Sequence, residues 1–144
     1  MQSLNILLDL KKFLISCPLL EIHENNTIPN IFIGSGLNDP PCYLLNPTSF
    51  EPIRKMYLDG SSLRNYVCNF SSIVFFNNEI DQNIKNFKFL DDITNWIDDQ
   101  NSIRNMPNYW VEIKIVQNNG FWSIITPDKI GQYLIQIQLV YFQG

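Results

Sequence analysis

From Tyr133 to Tyr141 every second residue is apolar (Tyr133, Ile135, Ile137, Leu139, Tyr141), while Gln132, Gln136 and Gln138 take alternate positions. A period of two marks a strand that is buried on one face and wet on the other. Such a strand is not stable alone. It requires partner strands and an apolar layer to cover its inner face.

The rest of the chain offers both. Tyr109, Val111, Ile113 and Ile115 alternate with Glu112 and Lys114, and Asn118-Asn119-Gly120 then reads as a hairpin turn into a strand over Phe121 to Ile125. Thr126-Pro127-Asp128 breaks that strand. Ile53 to Leu58 and Arg64 to Phe76 flank the turn Asp59-Gly60-Ser61-Ser62. In the longer run Tyr66, Cys68, Phe70, Val74 and Phe76 share one face, with Asn69 and Ser71 on the other. Asn30 to Ile33 and Cys42 to Leu45 read as two short strands around a Gly-Ser-Gly and Asp-Pro-Pro loop.

Two amphipathic helices complete the pattern. Leu4, Leu7, Leu8, Leu14 and Ile15 fall at helical spacing behind Ser3 as N-cap, and Pro18 ends that helix after Cys17. Asn77 to Asn86 reads as a polar linker with room for one short helical turn. A second helix follows from about Asn86 to Gln100, with Phe89, Leu90, Ile93, Trp96 and Ile97 on one stripe and Asp91, Asp92, Asp98 and Asp99 opposite. The expected fold is α+β: one domain over residues 1–144, a largely antiparallel β-sheet with two main α-helices packed on it.

A chain of 144 residues buries roughly two-thirds of its unfolded surface and needs no disulfide or metal staple. Charged residues are 17%, against about 25% in an average soluble domain. There are 18 Asn, 20 Ile and no Ala, a bias that AT-rich coding DNA would produce. Net charge is −4, which excludes a basic module whose phosphate contacts need clustered Lys and Arg. No apolar run approaches the roughly 20 residues of a membrane span. Met1 to Ser16 carries Asp9, Lys11 and Lys12 in its middle and reads as a helix rather than a secretory leader. Cys17, Cys42 and Cys68 lie far apart, the pattern of reduced buried thiols in an intracellular domain.

The candidate chemistry is sparse. His23 with Cys17 or Cys68 is the one nucleophile–base pairing to weigh, as a small acyl-transfer enzyme, and nothing nearby in sequence would orient the imidazole. Asp91 and Asp98 are two helical turns apart but lack the loop of further oxygens that a calcium site requires. Gly34-Ser35-Gly36 lacks the spacing and the Lys of a phosphate loop. No catalytic residue, cofactor site or metal site is assigned. A small-ligand module would need a convergent polar pocket. Trp110 shares a strand parity with Glu112 and Lys114, which predicts an exposed interface anchor. The Gln- and Asn-rich outward strand positions favour self-association as much as they reflect coding bias.

Several stretches are similar to the tail terminator (tail-completion) proteins of long-tailed phages of Gram-positive bacteria, often labelled minor capsid or tail proteins. They are Phe13-Leu14 with Cys17-Pro18-Leu19-Leu20, then Tyr57-Leu58-Asp59-Gly60-Ser61-Ser62-Leu63-Arg64-Asn65-Tyr66. Next come Phe89 with Trp96-Ile97 and Gln100-Asn101, and last the run from Tyr133 to Gln143. They span the chain in the family's order and leave out residues 21–50, an Asn/Pro-rich connection. The closing Tyr-Phe-Gln-Gly resembles a protease-tag remnant, of which only Gly144 falls outside the strand pattern.

The resemblance implies a virion structural protein without enzymatic activity, made in the host bacterial cytoplasm and located in the tail and neck. It implies a ring, most simply a hexamer, that caps the tail tube and joins it to the head connector, with the genome passing through. The implied partners are copies of itself, the tail-tube protein and a head-completion protein, with no membrane and no sequence-specific nucleic acid. A head-closure or connector subunit of the same neck is the neighbouring alternative. Asp59, Leu63 and Arg64 at the Gly60 turn, together with Trp110, are the expected interface residues. Arg64 stands out as one of three arginines, a residue suited to planar paired contacts.

Overall fold

β6 (Ile130–Gln143), the strand with the two-residue period, lies between two long neighbours. The computed structural model describes residues 5–22, 27–34, 41–48, 50–75, 80–126 and 130–144. Along one side β6 pairs antiparallel with β4 (Ser62–Phe75), from Ser62↔Gln143 to Phe75↔Ile130. Along the other it pairs antiparallel with β5 (Trp110–Thr126). β2 (Cys42–Pro47) and β3 (Ile53–Met56) follow one another along the far edge of β4, and β1 (Ile31–Ile33) joins β2 in parallel. Among the described residues this is a mixed six-stranded sheet of order β1-β2-β4-β6-β5, antiparallel except at β1–β2.

The alternation in β6 works as expected. Tyr133, Ile135, Ile137, Leu139 and Tyr141 are all buried on the inner face. There they meet Cys68 and Phe70 of β4, Tyr43 and Leu45 of β2, and both helices in one apolar cluster. The fold is therefore α+β, with a mostly antiparallel sheet and α1 (Ile6–Ile15) and α2 (Ile80–Ile103) on its inner face.

Helix α1 is capped by Asn5, whose Oδ1 accepts from the Leu8 N–H at 3.0 Å. Ser3, the expected cap, and Leu4 lie outside the described residues. The inward stripe is Ile6, Leu10, Phe13 and Leu14, so Leu8 is turned to solvent and the buried face is rotated from the expected one. Helix α2 keeps its predicted stripe, with Leu90, Ile93 and Ile97 buried and Asp91, Asp98 and Asp99 exposed. It begins at Ile80, well before Asn86, so most of the supposed linker is helical. Asn86 shows why: its amide is buried and donates to the Phe75 carbonyl at 3.2 Å and the Tyr133 hydroxyl at 3.3 Å. A polar residue that anchors a helix to a sheet reads, in sequence, like a loop residue. Phe76 and the break at Pro127-Asp128 lie outside the described residues.

β5 departs most from expectation. Asn118-Asn119-Gly120 is not a hairpin turn, because the strand runs through it. The register against β6 slips by one residue there, Gly120 sits at φ +63°, and Asn118 Oδ1 accepts from the Gly120 N–H at 2.9 Å. This is a bulge with glycine in the left-handed region, which uses the same residues as a hairpin turn. A Cβ at Gly120 would also come within 3.2 Å of the Phe87 ring.

A second slip, between Trp110 and Glu112, overturns the expectation for Trp110. Trp110 pairs with Tyr141 and Glu112 with Val140, so Val111 is the extra residue. If the strand were regular through Val111, strict alternation would turn Trp110 outward alongside Glu112 and Lys114. With the extra residue, Trp110 is only 1% exposed, its ring edge-on to Phe13 at 5.2 Å. The expected interface anchor is a core residue.

Candidate functional site

Asp59, Leu63 and Arg64 are brought together on the β3–β4 hairpin. The turn is built by Asp59, whose Oδ1 accepts from both the Ser61 N–H (2.9 Å) and the Ser61 hydroxyl (2.5 Å). Those bonds hold the Asp59 carboxyl below its ordinary range. Gly60 at φ +91° lets the Gly60 N–H reach the Tyr57 carbonyl, and the Tyr57 N–H reaches Ser61 O. Leu63 is half-buried and sits opposite Lys55 and Phe142. Arg64 Nε donates to Ser62 Oγ at 2.9 Å, in the row Ile53–Arg64–Tyr141–Trp110 that crosses the sheet. Trp110 therefore shares a row with Arg64 but lies beneath the helices.

The strongest surface signal is one that the sequence did not single out. All four residues of β3 are exposed, and the exposure continues through Tyr57 to a fully exposed Leu58. Met56 is 60% exposed, and Arg54 and Lys55 stand beside it. In sequence, Ile53 to Leu58 reads as an ordinary strand leading into the turn. Nothing in its composition distinguishes an edge strand that is bare on both faces from one covered by a helix.

The outer face of the sheet is mostly uncharged, and its Glu112 and Lys114 pair with each other at 3.4 Å. Gln136 donates to Asn69 at 3.2 Å, Gln138 to Asn65 at 3.3 Å, and Gln132 to Ser71 at 2.8 Å while accepting from Ser123. The outward glutamines of β6 thus form a cross-strand amide ladder. A small apolar cluster of Cys42, Leu44 and Ile73 lies on that face, beside Phe32 and Ile130.

The opposite edge of the sheet is capped at its start, from Trp110 to Ile113. Helix α2 ends in a Schellman-type cap with Arg104 at φ +57°, its N–H on Asn101 O and the Asn105 N–H on Gln100 O. That turn aims Arg104 at the Trp110 and Val111 carbonyls, 2.8 and 2.6 Å away. Asn101 accepts from the Ile113 N–H at 2.8 Å and donates to the Ile113 carbonyl. One side-chain amide thereby replaces a strand partner at the β5 edge.

All three thiols are buried. Cys17, Cys42 and Cys68 form no disulfide, and burial pushes the Cys17 thiol up and that of Cys68 to about 12. His23 lies outside the described residues, as do Ser35 and Gly36 of the Gly-Ser-Gly stretch. Among the described residues no three His, Cys, Asp or Glu side chains cluster as a metal site would require. Asp92 is paired with Lys88 at 2.6 Å. A polar cleft of about 220 Å³ lies between Glu21, Tyr43, Ser72, Lys85 and Asn86. Its Tyr43 hydroxyl accepts from the Glu21 N–H and its Asn86 amide bonds Phe75 O, so these groups are used by the fold.

No protein-family model matches the chain, and neither a curated protein nor a solved structure matches it at a significant level.

Proposed function

We propose that the chain is a non-enzymatic virion subunit that forms a ring, most simply a hexamer, on the end of a phage tail tube and joins it to the head connector. The observation that carries the assembly half of this reading is the bare β3 strand and its Leu58 tip, apolar surface of the kind that partners cover. The phage half rests on the resemblance of the four stretches quoted above. The neutral amide ladder also supports it, since a ring subunit must bury uncharged faces against its own copies. A weakly acidic or neutral lumen would let the genome pass without sticking.

The purified chain is expected to be monomeric or weakly associating when dilute, and to appear as caps on tubes polymerised from the tube subunit of the same genome. Light scattering and negative-stain images of tube ends provide the check. Bare tube ends at saturating chain would overturn the reading. Cross-linking to the head-side adaptor instead of the tube subunit would move it to the connector.

The acyl-transfer alternative predicts the opposite thiol chemistry. Because burial holds Cys68 protonated, iodoacetamide at neutral pH is expected to label the folded chain slowly and the unfolded chain fast. Rapid labelling of folded Cys17 or Cys68 would revive the enzyme reading. The same shift fixes a sign for stability. The unfolded thiol loses its proton near 9.0 and the folded one near 12, so the unfolded state binds fewer protons in that window. Stability is therefore fully present below pH 9.0 and falls as pH rises towards 12. Tyr109, raised from 10.0 to about 12 by burial and its bond to Asp9, acts in the same direction.

A further inference from the structure

The ring reading leaves open which surfaces meet, and two patches answer each other in charge and apolar content. The first is the β3 flank, where Arg54 and Lys55 stand exposed among Ile53, Met56 and Leu58. Lys55 Nζ lies 5.3 Å over the Tyr57 ring. The acids nearest in sequence are Asp59, whose carboxylate is held by Ser61, and Glu51 at the start of the segment. The second patch is the solvent side of α2 from its middle onward. Asp91, Asp98 and Asp99 are exposed there, with Ile103 one turn beyond Asp99 and exposed Val111 beside the Arg104 cap. Among the described residues the ion pairs are Lys88–Asp92 and Lys114–Glu112, and neither uses a charge named in these two patches.

Their placement decides how they can be used. The row Ile53–Arg64–Tyr141–Trp110 runs from β3 across β4 and β6 to β5. The end of α2 is fastened to the outer edge of β5 at Trp110, Val111 and Ile113. The basic strip and the acidic face therefore occupy opposite flanks of the same end of the sheet. A two-fold dimer through either patch would set like charges together, Arg54 and Lys55 against themselves or the aspartates against themselves. Complementary patches on opposite flanks instead join head to tail, the arrangement that closes into a ring.

We infer that the β3 strip of one subunit docks on the Asp91–Asp98–Asp99 face of the next copy of this chain. The inference rests on the ring reading and specifies its interface. Arg54 and Lys55 meet the aspartates, while Met56 and Leu58 cover Ile103 and Val111.

Charge reversal on the full chain tests it. All the exchanged side chains are exposed, and circular dichroism verifies folding of each variant. R54E/K55E and D98K/D99K are each expected to weaken self-association by about tenfold or more in sedimentation equilibrium. The chain carrying all four changes is expected to regain association. An equimolar mixture of the two reversed proteins is likewise expected to regain association, since the surviving wild-type faces match each other and the two reversed faces match each other. Added salt is expected to weaken the wild-type contact, as exposed charges are screened. If the wild type associates or caps tubes and both reversals leave this unchanged, the docking pair is wrong while the ring reading stands. Failure of the four-change chain to recover also overturns the pairing. A wild type that neither associates nor caps tubes overturns both.

Discussion

Trp110→Ala is expected to destabilise the chain by about 3–5 kcal/mol without any direct effect on a subunit contact. The indole is buried where α1, α2 and the sheet converge, edge-on to Phe13, and the Phe13 ring in turn lies 5.1 Å from Trp96. Truncation removes a ring that the helices and sheet close around, and the surrounding rigid aromatics can collapse only partly into the space. A domain of this size holds about 5–15 kcal/mol in all, so the variant should sit near the edge of folding. The thermal midpoint should fall on the order of 10 °C. Calorimetry and urea titration provide the measurement. An exposed anchor would instead lose under about 0.5 kcal/mol and show its effect only in association. The two outcomes separate the core position seen here from the surface position that strict alternation predicts.

Asn101→Leu is expected to cost about 2–3 kcal/mol and to open one edge of the sheet. Its amide bonds the N–H and the carbonyl of Ile113 and also the carbonyl of Ile97. Leucine fills similar volume but leaves both Ile113 backbone groups without their partner beside a buried side chain. Two readouts follow. The urea midpoint should drop, and the Ile113 amide should exchange with solvent much faster than its neighbours on the β6 ladder. Ser102→Ala, one residue along on the exposed side of the same turn, should stay within about 0.5 kcal/mol of the wild type. If Asn101→Leu leaves Ile113 exchange unchanged, the cap has no protective role. An open edge also invites strand pairing, so the variant should aggregate on heating sooner than its stability alone implies.

Much of the fold was legible where one local rule acts alone. The period of two in β6, the apolar stripe of α2 and the Asp-Gly turn between β3 and β4 each depend on neighbours within a few residues. Legibility failed where one local pattern serves two structures. Asn118-Asn119-Gly120 supports a hairpin turn and a glycine bulge alike, because both need positive φ at the glycine. Only the continued pairing of β5 with β6 on both sides of Gly120 decides between them. Asn86 and Asn101 read as linker and helix-end polar residues because their bonding partners, Phe75, Tyr133 and Ile113, are distant in sequence.

The interface candidates divide in the same way. Asp59, Leu63 and Arg64 were readable because a turn gathers them locally. Trp110 was misplaced because a single extra residue, Val111, reverses the parity of everything before it. The sequence by itself determined the α+β class, the one-sided burial of β6 and the acidic outer stripe of α2, since periodicity and turn chemistry are short-range properties. Tertiary structure alone decided which flank carries the basic strip and which the acidic face, which edge is capped and which strand is left bare. Those properties depend on strand order and bulge register, which are set by long-range pairing and leave no periodic trace in the chain.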